Sequence, residues 1–153
     1  MLRLATLALG LAALLSTASC GSSPAAPTVL SLAGSWDGPG SNQLGKHMIS
    51  LTVAQSGTTL SGTVTTRPVD PVGTTCASCH MSKVGTFTGT ISGSTLTLSM
   101  TFPPGNAADP TPLCTTTMIV NTAVTGTSIA GPYTGTDTCE GAFIDATLSM
   151  ARN

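Results

Sequence analysis

The chain has 153 residues, enough for one domain, of which only 7% are charged and 3% aromatic. Five Lys/Arg against six Asp/Glu give a net charge of −1, which excludes a nucleic-acid binder needing a cationic surface and a coiled coil needing charged flanking positions. With 41% hydrophobic residues, 17 Gly and 10 Pro, the chain is not an acidic disordered tail either. The composition is that of a small all-β domain on an exported chain.

Residues 1–19 read as a targeting segment. Arg3 supplies the positive start, and Leu4 to Leu15 form an apolar stretch broken only by Thr6 and Gly10. As a helix that stretch rises about 18 Å, short of the roughly 30 Å hydrocarbon core of a bilayer. Ser16-Thr17-Ala18-Ser19-Cys20, followed by Gly21-Ser22-Ser23, resembles a bacterial lipobox, with Thr17 where the family prefers Leu. The resemblance implies cleavage before Cys20 and lipidation of its sulfur with acyl chains such as palmitate. Gly21 in place of Asp resembles lipoproteins sent on to the outer membrane. The membrane is then a partner through a lipid anchor, with no spanning helix needed. The alternative is an ordinary secretory signal cut after Ala18 or Ser19, leaving Cys20 as a free thiol. Residues 20–29 are a tether rich in Gly, Ser, Pro and Ala.

From residue 30 to 153 the pattern has period two. Ile49, Leu51 and Val53 alternate with Ser50, Thr52 and Ala54, and Leu96, Leu98, Met100 and Phe102 alternate with Thr95, Thr97, Ser99 and Thr101. One apolar and one hydroxylated face describes half-buried strands. Three segments repeat a Ser/Thr-Gly, hydroxyl, hydroxyl, aliphatic motif: Ser56-Gly57-Thr58-Thr59-Leu60, Ser92-Gly93-Ser94-Thr95-Leu96 and Thr125-Gly126-Thr127-Ser128-Ile129. Each reads as a tight hairpin. The predicted strands are 31–38, 46–55, 58–66, 84–91, 95–102, 113–124, 127–136 and 142–151. Consecutive hairpins favour an eight-stranded antiparallel up-and-down barrel, in which closure removes exposed edges. The alternative is a β-sandwich. Gly62, Gly89, Gly131 and Gly135 fall inside strands, where they permit sharp bends.

Removing Cys20 leaves Cys76, Cys79, Cys114 and Cys139, an even number suited to an oxidising compartment, with three possible pairings. With Thr125-Gly126 as a two-residue turn, position 114 faces 137, and Cys139 comes within reach if the strand carries a bulge. A Cys114–Cys139 disulfide would then clip the hairpin, stabilising by about 3 kcal/mol in the chain-entropy model. Cys76–Cys79 would brace a long loop locally.

Gly34-Ser35-Trp36 at the start of the first strand resembles the Gly-x-Trp opening of lipocalins and avidins. Asn42-Gln43-Leu44-Gly45 is similar to the stretch after that Trp in streptavidin-type proteins. The resemblance implies a lipocalin-like barrel with Trp36 plugging one end. Avidins surround biotin with several Trp, and this chain has one, so biotin binding is not implied.

If the three Gly turns share one end, the other carries the connections 38–46, 67–83, 103–112 and 137–141. Cys76, Cys79, His80, Cys114, Cys139 and His47 then gather there with Asp37, Asp70, Asp109, Asp137 and Glu140. Cys76-Ala77-Ser78-Cys79-His80 resembles a c-type haem attachment site. That implies thioethers at Cys76 and Cys79, His80 as axial ligand, and His47 or a Met completing the iron. His47 reads otherwise as a strand-end surface residue and the acidic residues as a solvated rim. No metal site and no resident cofactor is expected besides the haem alternative. No nucleophile elbow, ordered carboxylate pair or phosphate loop occurs, so no enzyme is expected. The reading is a cell-envelope lipoprotein acting as a binding or structural module, with a single-haem electron carrier as the alternative.

Overall fold

The computed structural model describes residues 29–71, 81–105 and 114–153. The strands are β1 (Gly34–Asn42), β2 (Gly45–Ser56), β3 (Thr59–Pro71), β4 (Lys83–Ser92), β5 (Thr95–Phe102), β6 (Thr116–Ala123), β7 (Ser128–Asp137), β8 (Gly141–Ala142) and β9 (Thr147–Arg152). Strands β1 to β7 pair in chain order, all antiparallel, and β9 pairs with both β7 and β1. Eight strands thus close into an up-and-down barrel, with the two-residue β8 added against the end of β7. The architecture is the expected barrel rather than the sandwich, and it is consistent with a calycin-like fold. Closure pairs the strand edges that an open sheet of this composition would expose.

Alternation sets the faces. Along β5, Leu96, Leu98, Met100 and Phe102 are buried and the hydroxylated residues between them exposed. Trp36, Ile49, Leu51, Leu60, Val64, Phe87, Ile91, Val120, Ile129, Leu148 and Met150 complete one continuous core. Several in-strand glycines admit strand contacts that no side chain would. A Cβ on Gly62 would lie 1.9 Å from the Thr52 carbonyl oxygen, and one on Gly135 would lie 2.1 Å from that of Thr117.

Two of the expected Gly turns are two-residue hairpins. Ser56 pairs with Thr59 and Ser92 with Thr95, and Gly57 and Gly93 take positive φ. The third differs. Val124 bridges Ile129 rather than facing Thr127, so the β6–β7 turn spans four residues. Thr125 organises it: its N–H donates to the Ser128 carbonyl at 3.0 Å, and its Oγ1 accepts the Ser128 N–H at 3.0 Å. The pairing shifts by two residues, so Thr116 faces Asp137. Cys114 and Cys139 then come opposite each other and form the disulfide with no bulge, their Cα atoms 5.6 Å apart.

The first connection is also corrected. β1 runs on through Gly38-Pro39-Gly40 to Asn42, and Asn42 pairs with Gly45 across a tight Gln43-Leu44 turn. The Asn42 Oδ1 accepts the Leu44 N–H at 2.8 Å. Pro39, which has no N–H, falls where the β1–β9 ladder lapses between Asp37 and Gly40. The expected final strand is split into β8 and β9, with Asp145 between them at φ 51°.

The turn end is plugged as the resemblance implied. Trp36 is fully buried there, its Nε1 donates to the Leu32 carbonyl at 2.8 Å, and the Arg152 guanidinium lies 4.9 Å over its ring. The side chain of Gln55 accepts the Leu32 N–H at 2.6 Å and donates to the Leu30 carbonyl at 3.0 Å, fastening the incoming chain across the plug.

Candidate functional site

The opposite end carries the β1–β2 turn, both ends of the β3–β4 and β5–β6 connections, the disulfide and the β7–β9 segment. It holds a recess rather than a plug. Because side chains alternate, the last inward positions of several strands point into it. On β4 the inward series Phe87, Gly85 continues to Lys83, and on β7 the series Tyr133, Gly135 continues to Asp137. Lys83 and Asp137 therefore meet inside the barrel wall, both buried.

Lys83 Nζ donates to Asp137 Oδ2 at 2.6 Å and also to Thr116 Oγ1. The Thr116 hydroxyl donates in turn to Asp137 Oδ2 at 2.6 Å, and the Cys139 N–H donates to Oδ1 at 2.9 Å. Burial pushes the Asp137 carboxyl up, but the hydrogen bonds from Lys83, Thr116 and Cys139 and the Lys83 charge outweigh it. The carboxyl is held below its ordinary value. An ion pair this deep has a large desolvation cost and contributes little net stability compared with apolar packing.

A second polar group lines the recess. His47 points inward as the next position in the β2 series Val53, Leu51, Ile49. Beside it the β2–β3 register shifts: Lys46 pairs with Asp70 and His47 with Pro68, leaving Val69 of β3 as the extra, exposed residue. Gly40 makes room for its ring, since a Cβ there would lie 2.6 Å from His47 Nε2. The Tyr133 hydroxyl accepts from Asn42 Nδ2 at 2.9 Å and lies 3.5 Å from His47 Nε2. His47, Tyr133 and Phe143 stack edge to face, at centroid separations of 6.3 and 5.9 Å. Burial pushes the Tyr133 hydroxyl up to about 12. Burial also lowers the His47 imidazole, against a hydrogen bond to the Gly45 backbone and with the aid of the Lys83 charge. The ring is therefore neutral at pH 7.

Phe102, Met118 and Phe143 supply the apolar part of the lining. The volume of the open recess is about 60 Å³, room for roughly four waters, against the roughly 300–1,000 Å³ of pockets that take drug-sized molecules. The Gln43 side chain donates to the Ala142 carbonyl at 2.8 Å and accepts the Ile144 N–H at 2.7 Å, tying the rim together.

Of the expected site residues, the structure brings Cys114, Cys139 and His47 to this end. His47 is half-buried inside the recess rather than on the surface. Asp137 belongs to the buried pair rather than a solvated rim, whereas Asp70 lies on the exposed rim, 4.0 Å from Lys46. Asp37 is not at this end. It sits on the outer face of β1 paired with Ser50, its carboxyl lowered by hydrogen bonds from Ser50 and Asn153. Ligand atoms of Cys114, Asp137 and Cys139 lie within 4.8 Å of one another, but the two sulfurs are bonded to each other and are not metal thiolates. Cys20, Cys76, Cys79, His80 and Asp109 lie outside the described residues. The described lining does not fit a porphyrin: the space is far too small and one wall is an ion pair. Lys83 and Tyr133 were missed by the sequence reading. Extending the period-two phase of β4 back by one step puts Lys83 inside, and that signal was available.

Compared with family models, with curated proteins and with solved structures, the chain has no significant match.

Proposed function

We propose that this protein is a binding module of the cell envelope, lipid-anchored through Cys20, that holds a small molecule or group at the recess of its loop-bearing mouth. One observation carries the reading. Among the described residues the buried polar side chains Lys83, Thr116 and Asp137 all line the recess, with Asn42, His47 and Tyr133 beside them. Apolar residues would fill that space at lower cost, so polar groups concentrated at one end of the barrel favour a recognition role. The ammonium and carboxylate neutralise each other, which favours binding over proton transfer.

The place where the tether would meet the barrel fits the same reading. The tether would join the barrel at Leu30, whose carbonyl is held at the turn end, so a chain fixed through Cys20 would present the mouth away from the bilayer. The test is amide-resolved NMR of the folded domain against a chemically diverse set of small molecules. Binding is expected to shift Thr116, Tyr133 and Asp137 while leaving Trp36 unmoved. A set that shifts no resonance of the mouth overturns the proposal. Partitioning of the Cys20→Ser chain into the soluble fraction tests the anchor. For the haem alternative, a Soret band in chain made by a host that matures c-type cytochromes would favour an electron carrier, and a colourless product would remove it.

A further inference from the structure

The donor count inside the recess narrows what it can hold. An ammonium carries three N–H donors. Lys83 uses two, on Asp137 and Thr116, and its side chain retains only 10% of its exposure. Among the described residues no third acceptor faces it. The Tyr133 hydroxyl accepts from Asn42, but its own proton has only His47 Nε2, at 3.5 Å, beyond the usual range for an O–H donor. These two underused donors line the same recess as His47 Nε2, an acceptor in the tautomer that carries its proton on Nδ1, beside Phe102, Met118 and Phe143.

Charge decides which acceptor suits these donors. Lys83 and Asp137 cancel, the half-buried imidazole is neutral, and Lys46 on the rim is solvent-exposed and faces Asp70, so the site offers little net field to an ion that must shed its hydration to enter. A carboxylate would also approach Asp137. Building on the reading above, we propose that the recess takes a small uncharged amide, whose carbonyl oxygen accepts from Lys83 and Tyr133, whose N–H donates to His47 and whose methyl group packs on the apolar lining. A volume of about 60 Å³ admits a group the size of acetamide.

The proposal is tested by NMR titration with acetamide, acetate and isopropylammonium, which match in size and differ in charge. Acetamide is expected to shift the mouth resonances saturably at about millimolar concentration, about tenfold more tightly than either ion. The double variant Lys83→Met/Asp137→Leu replaces the ion pair by apolar residues without leaving a buried charge and is expected to abolish the response. Tyr133→Phe, which leaves the pair intact, is expected to weaken it several-fold. Acetate or isopropylammonium binding as tightly as acetamide, or acetamide binding unchanged in the variants, overturns the amide assignment. Acetamide failing while other small molecules shift the mouth also overturns it and leaves the recess as a site. Silence from every compound overturns the site itself.

Discussion

The two ends of the barrel are filled by opposite means. At the turn end Trp36 takes up the space, with its one polar atom bonded to the Leu32 carbonyl and Arg152 laid over its ring. At the loop end Lys83, Thr116, Asp137, His47 and Tyr133 line a gap of about 60 Å³. The first arrangement is what packing density favours. The second retains charge where apolar side chains would serve stability better, and the Cys114–Cys139 disulfide braces it beside Asp137. The contrast separates an end built for stability from an end built for recognition.

Substitutions sharpen that contrast. Trp36→Ala is expected to cost about 4 kcal/mol in chemical unfolding, because it removes the plug and leaves a cavity. Lys83→Met alone is expected to cost about 3 kcal/mol by stranding the Asp137 carboxylate, whereas Lys83→Met/Asp137→Leu unfolds at or above the wild-type midpoint. A double variant as unstable as the single one would mean that the pair is structural and would break the comparison.

Replacing both Cys114 and Cys139 by Ser is expected to lower stability by about 3 kcal/mol. Its amide-exchange signature should concentrate at Thr115, Thr116 and Thr138 and leave Trp36 protected. The smallest effect is in pH dependence. His47 titrates below its ordinary 6.5 in the fold, so as pH falls below about 6.5 the unfolded chain binds the proton first and stability declines. Asp137 adds a further loss only below its ordinary 3.8, since its folded value is depressed. His47→Gln should therefore flatten the stability profile between pH 7 and 5 while leaving the acid limb below pH 4 in place. An unchanged slope between pH 7 and 5 would place the imidazole in solvent rather than in the recess.

Some of this was legible in the residues. The alternation of β5 states its buried face directly, and Ser56-Gly57 and Ser92-Gly93 read correctly as turns because Gly alone takes their backbone angles cheaply. Thr125-Gly126 misled, because Gly126 is not the residue that shapes that turn. The Thr125 side chain holds four residues together, and such a local hydrogen bond leaves no distinctive composition. The run Asp37-Gly38-Pro39-Gly40 looked like a break. It is strand, because its glycines admit the β9 backbone and the His47 ring and its proline sits in a ladder gap.

Composition and periodicity, by themselves, determined that this chain makes an all-β domain with a hydroxylated exterior, since both depend only on which residues follow one another. The choice of barrel over sandwich was settled by the pairing of β9 with both β1 and β7. Tertiary structure decided the site. Lys83 and Asp137 are 54 residues apart, and whether they meet depends on the register of every strand between them. A two-residue error in one turn is invisible in the pattern, because period two is preserved under it, yet it moves Cys139 opposite Cys114 and fixes which carboxylate faces the ammonium.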